Sequence, residues 1–581
     1  MAKPQPSSWI EMPLTLDWEL DWRPEDLLVN EYSNSAQAAE DFSLSSSTIR
    51  QRLVNLLVQK AGNQIILQQR NTLATAPAFF NKSATVSNPR GIFWANTIGR
   101  LIELWDTVLY VWSANDTYTT VTAMGAATDG PGGFTEGIDS AGVAYAFAST
   151  VTDSVQITTS GNTAISDADY PASVIPMPVF LDSYIFIAQQ GTRTIYNCAV
   201  GDPTSWSAST FIATEEYGGN IVGLTRIGNM VVALCENSIE FFRDAGIPAP
   251  NSPLQRIAEL TSSIGCINRA TIAKHLDTVY FAGKDSSGMM GIFKIDSDGK
   301  VSLIGNPSVN YIVGQHADNN GSRGVITTWS ATLASTRPMV AYMIPFHGRW
   351  YYSIHCNFGT SVVAGAASVA YVSLIYDSEY KIWTEIAAAH RTAASGQVVG
   401  GWPFPFGTFM LSSALTSDRS FLMQSAYGGT ADNDLAELAT TTGYEISDTT
   451  GGPFVGTSTV KNIIQWPLTS FGLAGRKVLS GIEISLTGNT ASSGAFSATG
   501  GVSPSFVHHG RYLTNATGGS PSFTAYSLTG QAITPPQGEL VHTIRTNLIS
   551  FYQQWFQILF NISSSRGVSS IRFRITPHEE S

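Results

Sequence analysis

One repeated pattern in the middle of this chain constrains its fold more than any other feature. Between about residues 90 and 450, a Gly or Asp precedes an apolar strand, a polar turn and a second apolar strand, and the units begin roughly 40–70 residues apart. Regular β units at such spacing are typical of a β-propeller, whose blades pack on their neighbours, and a large β-sandwich array is the alternative. Six or seven units predict six or seven blades. The paired segments are 99–105 with 107–112, 182–187 with 192–196, 228–234 with 238–242, 277–282 with 290–295, 348–354 with 372–377, 407–411 with 420–423, and a looser copy at 142–158.

The composition also indicates an all-β protein. Aromatic residues make up 11% of the chain and there are 52 glycines, which suits strands separated by tight turns. Charged residues are only 13%, against about 25% in an ordinary soluble protein. A surface with so few charges is typical of a subunit covered by partners. A secreted β protein with a Ser/Thr-rich surface fits the composition equally well.

The charge and the cysteines limit the kinds of partner. A formal net charge of −12 argues against a protein that grips duplex DNA with Lys and Arg, although a negative wall suits a channel along which DNA slides. No signal peptide and no membrane helix are evident, so we expect no membrane insertion. Buried free thiols are the favoured state of the cysteines, with a disulfide left open. The four cysteines are Cys198, Cys235, Cys266 and Cys356.

Three regions are predicted: an N-terminal arm at 1–90, a propeller at 91–454 and a β-sandwich-like platform domain at 455–581. Part of the N-terminal region is expected to complete the platform, because chain ends often lie close together. Within the arm, residues 47–60 have apolar positions at helical spacing, and a strand over Leu53–Val58 fits almost as well. Trp9, Trp18 and Trp22 among acids predict an extended arm with aromatic anchors.

The sequence offers two weak metal-site candidates. Asp296-Ser-Asp-Gly-Lys300 begins like a calcium loop but has no Glu at the required later position. Asp-Gly between two apolar strands favours a hairpin instead. His508 and His509 are neighbours, and adjacent strand residues point to opposite faces, so we expect a surface pair. No metal-binding residue is predicted.

The remaining polar candidates are equally weak. His347 and His355 flank a predicted strand without a carboxylate or Cys cluster nearby, so we expect structural roles. Adjacent acids stand at Glu215–Glu216 and at Asp432 with Asp434. A glycosidase needs two carboxylates about 5–10 Å apart across a cleft, which sequence neighbours do not establish. We therefore predict no catalytic and no cofactor-binding residue, and no enzyme.

A series of short motifs in the middle of the chain carries a family resemblance. It spans about residues 175–385 and resembles the packaged-DNA-stabilisation, or tail hub/nozzle, proteins of podovirus-type short-tailed bacteriophages. Each motif also has a physical interpretation as a turn or a strand end, so the resemblance depends on scaffold residues. The motifs are Asp202-Pro-Thr-Ser-Trp206, Phe211–Glu216, Ile221–Leu224, Glu236–Glu240 followed by Ala245-Gly246, Ser263–Asn268, Val279–Asp285, His347–Tyr352 and Tyr376–Trp383.

The resemblance implies a structural virion protein. Such proteins form a homo-hexamer below the portal and adaptor (the head–tail connector), continue the DNA ejection channel, hold tail fibres or tailspikes and seat a distal plug or needle. Viral DNA would pass through without specific binding, and the subunit would be assembled in the host bacterial cytoplasm and reside in the virion tail. The alternatives are a secreted β-propeller that binds carbohydrate or acts as an adhesin, and a glycan-cleaving propeller enzyme.

Overall fold

The protein is built almost entirely from β-strands. One α-helix, α1 (Pro307–Asn319), and two short 3-10 helices, Ala258–Leu260 and Arg269–Thr271, occur in the part of the chain described. No helix in that part is long and apolar enough to cross a membrane. The computed structural model describes residues 8–12, 52–61, 64–75, 89–114, 117–126, 129–319, 339–363, 366–386, 402, 404–410, 419–423, 435–439, 444–447, 456–459, 462–465, 477–487, 497–504, 506–508, 511–513, 524–529, 541–553, 556–563 and 567–577.

The strands fall into an N-terminal group, a long series of blades and a C-terminal group. The N-terminal strands are β1 (Ser8–Met12), β2 (Arg52–Val54), β3 (Leu56–Ala61), β4 (Gln64–Gln69) and β5 (Thr72–Thr75). The next sixteen are β6 (Pro89–Ala95), β7 (Arg100–Trp105), β8 (Val108–Ala114), β9 (Thr117–Val121), β10 (Gly133–Ile138), β11 (Ala144–Ser149), β12 (Ser154–Ile157), β13 (Asn162–Ala164), β14 (Val174–Leu181), β15 (Tyr184–Gln189), β16 (Thr194–Ala199), β17 (Asp202–Ala213), β18 (Ile221–Ile227), β19 (Met230–Cys235), β20 (Ile239–Asp244) and β21 (Leu254–Arg256). Then come β22 (Gly265–Cys266), β23 (Ala273–His275), β24 (Thr278–Lys284), β25 (Met290–Ile295), β26 (Val301–Leu303), β27 (Met339–Phe346), β28 (Arg349–Val363), β29 (Ala366–Asp377), β30 (Ile382–Glu385), β31 (Phe406–Met410), β32 (Arg419–Met423) and β33 (Leu435–Ala439). The C-terminal strands are β34 (Tyr444–Ser447), β35 (Gly456–Thr459), β36 (Asn462–Gln465), β37 (Lys477–Thr487), β38 (Ser497–Pro504), β39 (Phe506–His508), β40 (Arg511–Leu513), β41 (Thr524–Thr529), β42 (Val541–Gln553), β43 (Phe556–Ser563) and β44 (Gly567–Pro577).

Seven antiparallel sheets form a closed β-propeller. Blades 1 to 4 are β6–β9, β10–β13, β14–β17 and β18–β21, blade 5 is β22–β26, blade 6 contains β27–β30, and blade 7 is β31, β32, β33 and β5. The inner strands of neighbouring blades contact one another: β6, β10, β14 and β18 in that order, β23 of blade 5 with β27, β27 with β31, and β31 of blade 7 with β6 of blade 1. At that junction the backbone N–H of Trp94 donates to Thr408 Oγ1 at 3.0 Å. The predicted all-β propeller is confirmed, with seven blades.

The outer strand of blade 7 comes from the other end of the propeller sequence. Strand β5 pairs antiparallel with β33, with Leu73 opposite Leu438. Leu73 is buried in the core between blades 6 and 7. The N-terminal strand therefore completes the last blade and ties the first part of the chain to the end of the propeller.

The hydrophobic core is divided among the seven blade interfaces. Each interface has its own cluster of buried side chains from two neighbouring sheets. Between blades 7 and 1, for example, Trp105 and Tyr110 pack with Phe421 and Met423. A buried aromatic or large aliphatic side chain contributes roughly 1.5–3 kcal/mol, so these clusters are the main source of the propeller's stability.

The helix predicted over residues 47–60 is wrong where the structure describes it, and the strand alternative is correct. Residues 52–61 form β2 and β3, separated by Asn55 at φ 59°, a left-handed conformation that Asn tolerates better than most residues. Leu53, Leu56 and Leu57 are all buried. An apolar run that is covered on both sides loses its two-residue alternation and imitates helical spacing.

The helix α1 lies elsewhere, after blade 5. Asn306 caps it, because its Oδ1 accepts from the N–H of Val309 at 2.9 Å, and Pro307 occupies the first turn, where no N–H is needed. Val309, Ile312 and Val313 are buried in the core between blades 5 and 6. The sequence contains this Asn-Pro signal for a helix start, but the apolar residues that follow it are too few to predict a helix.

Strands from both ends of the chain form two sheets outside the ring of blades. Strand β2 pairs in parallel with β30, Val54 opposite Glu385, and so extends blade 6 through β36, β43, β38 and β41 into one nine-stranded sheet. A six-stranded sheet joins β1, β3 and β4 to β37, β42 and β44. Residues 52–75 thus contribute to both the platform strands and the propeller.

Candidate functional site: the axial cavity

The inner strands of the seven blades surround a cavity of about 430 Å³. Blades 1, 2, 3 and 7 each contribute one phenylalanine ring, blades 4 and 5 contribute cations, and blade 6 contributes Ala341. Cavities of about 300–1,000 Å³ are typical of ligand sites. The aromatic lining residues are Phe93, Phe134, Phe180 and Phe406, and the cationic ones are Arg226, Arg269 and Lys274.

Close packing of the inner strands explains their composition. A Cβ on Gly133 would overlap the carbonyl oxygen of Pro176 on the neighbouring inner strand. Gly223 is confined in the same way by Ile272 and Met177. Glycine at these two positions lets the backbones of adjacent blades approach, which brings the lining side chains within reach of one ligand.

Arg269 is the most deeply buried cation of the cavity wall. Its residue is 8% exposed, and one guanidinium N–H donates to the carbonyl oxygen of Asp129 at 2.6 Å. Its other guanidinium N–H groups have no partner among the residues that the structure describes. Burial, reinforced by the charge of Arg90 and opposed by Asp129, lowers the pKa of Arg269 to about 10. The group is therefore still cationic at neutral pH.

Lys274 and Arg226 add two more positive charges. Arg226 is held by the carbonyl oxygens of Gly228 at 2.6 Å and Phe180 at 2.9 Å. Lys274 is solvent-accessible, and within the described parts of the chain its ammonium has neither a hydrogen-bond nor an ion-pair partner. Desolvation lowers the pKa of Lys274. The negative charge of Asp277 raises this pKa, and the positive charge of Arg226 lowers it further. An anion placed here would relieve the repulsion between the two cations.

The opposite side of the cavity is apolar. Phe93 and Phe134 stack with ring centroids 5.7 Å apart. Glu136, on the same inner strand, accepts from the N–H and the hydroxyl of Thr97, both at 3.0 Å, so its carboxylate is already engaged by blade 1. Because blades 4 and 5 lie across a seven-membered ring from blades 7, 1 and 2, the cationic and aromatic walls face each other.

The proposed calcium loop is a hairpin, as the sequence favoured. Asp296 N–H donates to Lys300 O at 3.0 Å and Gly299 N–H to Asp296 O at 2.9 Å, and Lys294 Nζ lies 2.7 Å from Asp296 Oδ1. In the residues with described positions, no three His, Cys, Asp or Glu side chains gather closely enough to hold a metal ion. His508 lies in β39, whereas His509 lies outside the described residues.

The two predicted structural histidines serve the scaffold. His355 is buried, its Nε2 lies 2.7 Å from Ser353 Oγ, and its ring stacks on Tyr342. Burial lowers the pKa of His355 to about 3, so the ring is neutral in the folded protein. His347 occupies a turn and its Nε2 lies 2.6 Å from Gln69 O.

The adjacent acids Glu215 and Glu216 form part of a loop clamp. Their backbone N–H groups donate to the buried carboxylate of Glu240, at 3.1 and 3.0 Å. Arg256 lies 3.1 Å from Glu216, 3.6 Å from Glu215 and 3.7 Å from Glu240. This arrangement fastens the loop between blades 3 and 4 to blade 4. Asp432 and Asp434 lie outside the described residues.

The motifs that carry the family resemblance also act in the scaffold. Trp206 closes over its own turn, with Nε1 donating to Pro203 O at 2.9 Å. Trp383 donates to Ile304 O at 2.8 Å and so connects blade 6 to the segment before α1. Among the residues of these motifs, Leu224 lines the axial cavity and the others do not.

The predicted state of the cysteines is confirmed: all four are free and buried. Burial raises the pKa of Cys235 to about 11 and those of Cys198, Cys266 and Cys356 to about 12. Because the thiolate is the reactive form, we expect Ellman's reagent to label none of them in the native protein at pH 8 and all four after unfolding in guanidinium chloride. Stoichiometric labelling of the native protein would contradict this burial.

Sequence reasoning named none of the three cations of the axial cavity. Arg226, Arg269 and Lys274 are separate cations on inner strands, and no local motif joins them. A usable signal was the position of each cation relative to the repeat, because a residue shortly before the recurring strand pair lies on the inner strand of its blade.

Comparisons with known proteins agree with the fold. Residues 54–331 match the family model for phage stabilisation described as "Bacteriophage P22 Gp10, beta-propeller". No curated protein matches the sequence.

Several solved structures show only distant similarity. The N-terminal domain of Nup159 is 8% identical at a TM-score of 0.33, over 66% of this chain and 98% of that one. An ancestral GH74 enzyme is 9% identical at a TM-score of 0.28, over 65% of this chain and 54% of that one. Hsv2 of Kluyveromyces lactis is 8% identical at a TM-score of 0.24, over 58% of this chain and 97% of that one. Nothing about function follows from similarities this remote.

Proposed function

Since this chain belongs to the phage stabilisation family of bacteriophage P22 Gp10, we propose that six copies form the nozzle of a short-tailed phage. The family makes the chain a structural protein of the phage tail. In the proposed assembly the ring continues the DNA channel below the portal and adaptor. It anchors fibres or tailspikes, and a distal plug or needle closes it. Assembly takes place in the host cytoplasm.

The observation that carries the proposal is the continuous sheet between propeller and platform. Blade 6 runs through β30 and β2 into the C-terminal strands β36 and β43, so paired strands join the two parts directly at this point. The N–H of Asn55 adds a bond to Glu385 O at 2.9 Å. A ring wall that must stay open under the passage of DNA requires such a stiff connection between its parts.

The charge of the chain supports a channel without DNA affinity. Each copy has a formal charge of −12, and duplex DNA binds proteins chiefly through cations that neutralise phosphates. A ring of six such subunits repels phosphate and lets DNA slide. We expect no retention of duplex DNA even at low salt.

We also propose that the protein is not an enzyme. The adjacent acids Glu215 and Glu216 are committed to the clamp around Arg256. The recurring aromatic side chains fill blade interfaces. These contacts stabilise a scaffold and leave those groups no part in bond cleavage.

The proposal is tested by electron microscopy of the full-length protein, alone and mixed with adaptor rings from the same phage. We expect sixfold rings with an open axial channel, at least when the adaptor is present. Adaptor rings without this protein provide the background, and duplex DNA retention is measured in parallel. A persistent monomer that ignores the adaptor and hydrolyses polysaccharide contradicts the proposal.

A further inference from the structure

We propose that the axial cavity of the propeller binds a small organic anion that consists of a carboxylate head on an apolar ring or chain. The site goes beyond the proposed tail function and does not depend on it, because the cavity lies within the blades of a single propeller.

The first argument is the local excess of positive charge. Three cations line the cavity, Arg226, Arg269 and Lys274, against one carboxylate, Glu136, in a chain whose formal net charge is −12. The carboxylate of Glu136 already accepts two hydrogen bonds from Thr97. In the part of the chain that the structure describes, none of the three cations forms an ion pair with a carboxylate. The cavity therefore attracts an anionic ligand.

The second argument is that the two arginines are held in place before any ligand enters. Arg226 donates to two backbone carbonyl oxygens at 2.6 and 2.9 Å, and Arg269 donates to one at 2.6 Å. These neutral acceptors orient the guanidinium groups without cancelling their charge. Lys274 is exposed, so its ammonium is within reach of a ligand that arrives from solvent. The acids that raise the pKa values of Arg269 and Lys274 are Asp129 and Asp277, and neither of them lines the cavity.

The third argument is the apolar wall opposite the cations. Phe93, Phe134 and Phe406 come from blades 1, 2 and 7, and all three are half-buried, so part of each side chain is open to the cavity. An inorganic anion would leave this apolar surface in water, whereas an apolar body attached to the anionic head covers it. The volume of about 430 Å³ lies in the range of small-molecule sites.

The test uses isothermal titration calorimetry of the full-length protein with two probes of similar shape, naphthoate and the uncharged naphthylmethanol. We expect naphthoate to bind at least tenfold more tightly, a difference of about 1.4 kcal/mol. Its affinity should fall as sodium chloride is raised, because salt screens the charges, while the affinity of the alcohol stays nearly constant. Acetate, which has the same head and no apolar body, should bind much more weakly than naphthoate. Equal affinities for naphthoate and the alcohol, or no binding of naphthoate at millimolar concentration, would overturn the proposal.

Lys274→Gln tests the cationic wall. It should weaken naphthoate binding about tenfold, the loss expected for one charge-assisted contact, and leave naphthylmethanol binding unchanged, whereas Lys274→Arg should retain both. Lys300→Gln removes an exposed lysine from the same blade outside the cavity and is the matched control. An equal loss in the Lys274→Gln and Lys300→Gln proteins would show that naphthoate responds only to overall charge, and this contradicts a site in the cavity.

Phe406→Ala tests the apolar wall. It should weaken the binding of naphthoate and of naphthylmethanol alike, by about threefold to tenfold. Phe211→Ala makes the same change at a side chain that is 48% exposed on blade 3 and does not line the cavity, so it should affect neither probe. Melting curves confirm that each variant is folded, and the lysine series decides alone if Phe406→Ala is not. If the folded Phe406→Ala and Phe211→Ala proteins bind naphthoate equally well, the probe lies elsewhere and the proposal fails.

Discussion

Leu73→Asp should destabilise the protein more than any other single change considered, by on the order of 4 kcal/mol or more. Leu73 is 3% exposed and packs in the core between blades 6 and 7 on the closing strand β5. The change removes a buried aliphatic group, which costs about 2–5 kcal/mol, and places a carboxylate among buried apolar side chains. Because β5 holds blade 7 closed, the damage spreads to the junction with blade 1. Thermal unfolding followed by near-ultraviolet circular dichroism measures the effect.

Leu276→Asp is the matched control for this prediction. It makes the same chemical change at a residue that is 78% exposed on a turn of blade 5. Leu276 has φ 51°, a conformation that Asp tolerates better than Leu, so stability should stay the same or rise slightly. If the Leu73→Asp and Leu276→Asp variants unfold at the same temperature, β5 does not close the propeller.

Arg70→Ala should lower the free energy of unfolding by about 3–5 kcal/mol, the sum expected for lost charge-assisted hydrogen bonds and a buried cation–π contact. Arg70 is 1% exposed and donates from Nε to Asn55 Oδ1 at 2.9 Å. Its guanidinium lies 4.8 Å from the ring centre of Trp402. The change therefore leaves a buried amide without its partner and a gap beside a buried indole. Guanidinium chloride unfolding measures the loss.

Two further variants serve as comparisons for Arg70→Ala. Arg70→Lys keeps the charge but not the planar fork, so it should recover only part of the stability. Arg243→Ala removes an exposed arginine from blade 4 and should change stability by no more than about 0.5 kcal/mol. If the Arg70→Ala protein is as stable as the Arg243→Ala protein, the contacts of Arg70 with Asn55 and Trp402 do not fasten the β3–β4 hairpin to the propeller.

The repeated strand pairs were predictable because their signal is local. In six blades the pairs correspond to the second and third strands, and in blade 7 to β31 and β32. Middle strands are covered on both faces by neighbouring blades, so they form apolar runs bounded by turn residues. Outer strands such as β9, Thr117–Val121, are mostly exposed and look like loops. Inner strands contain Gly and Pro, as at Gly133 and Pro176, which hides them from pattern recognition.

The cavity could not be predicted because its residues share no sequence signal. Arg269 begins a 3-10 turn capped by Asn268, and its role depends on Asp129 in the segment between blades 1 and 2. Lys274 is an exposed lysine, and the ring of blades places Arg226 near it, which contributes to lowering its pKa. Both depend on contacts between blades, which periodicity within one blade does not encode.

Alternation, turn residues and charge already predicted, without coordinates, an all-β chain of repeated strand pairs that favours a propeller, a hairpin at 296–300, buried thiols and an acidic balance. Those properties follow from neighbours along the chain. The tertiary structure alone decided the count of seven blades, the closure by β5, the strands in place of a helix at 52–61 and the meeting of Arg226, Arg269 and Lys274. Each of these depends on segments distant in sequence that bury one another, and burial by a distant segment leaves no periodic signal in the segment itself.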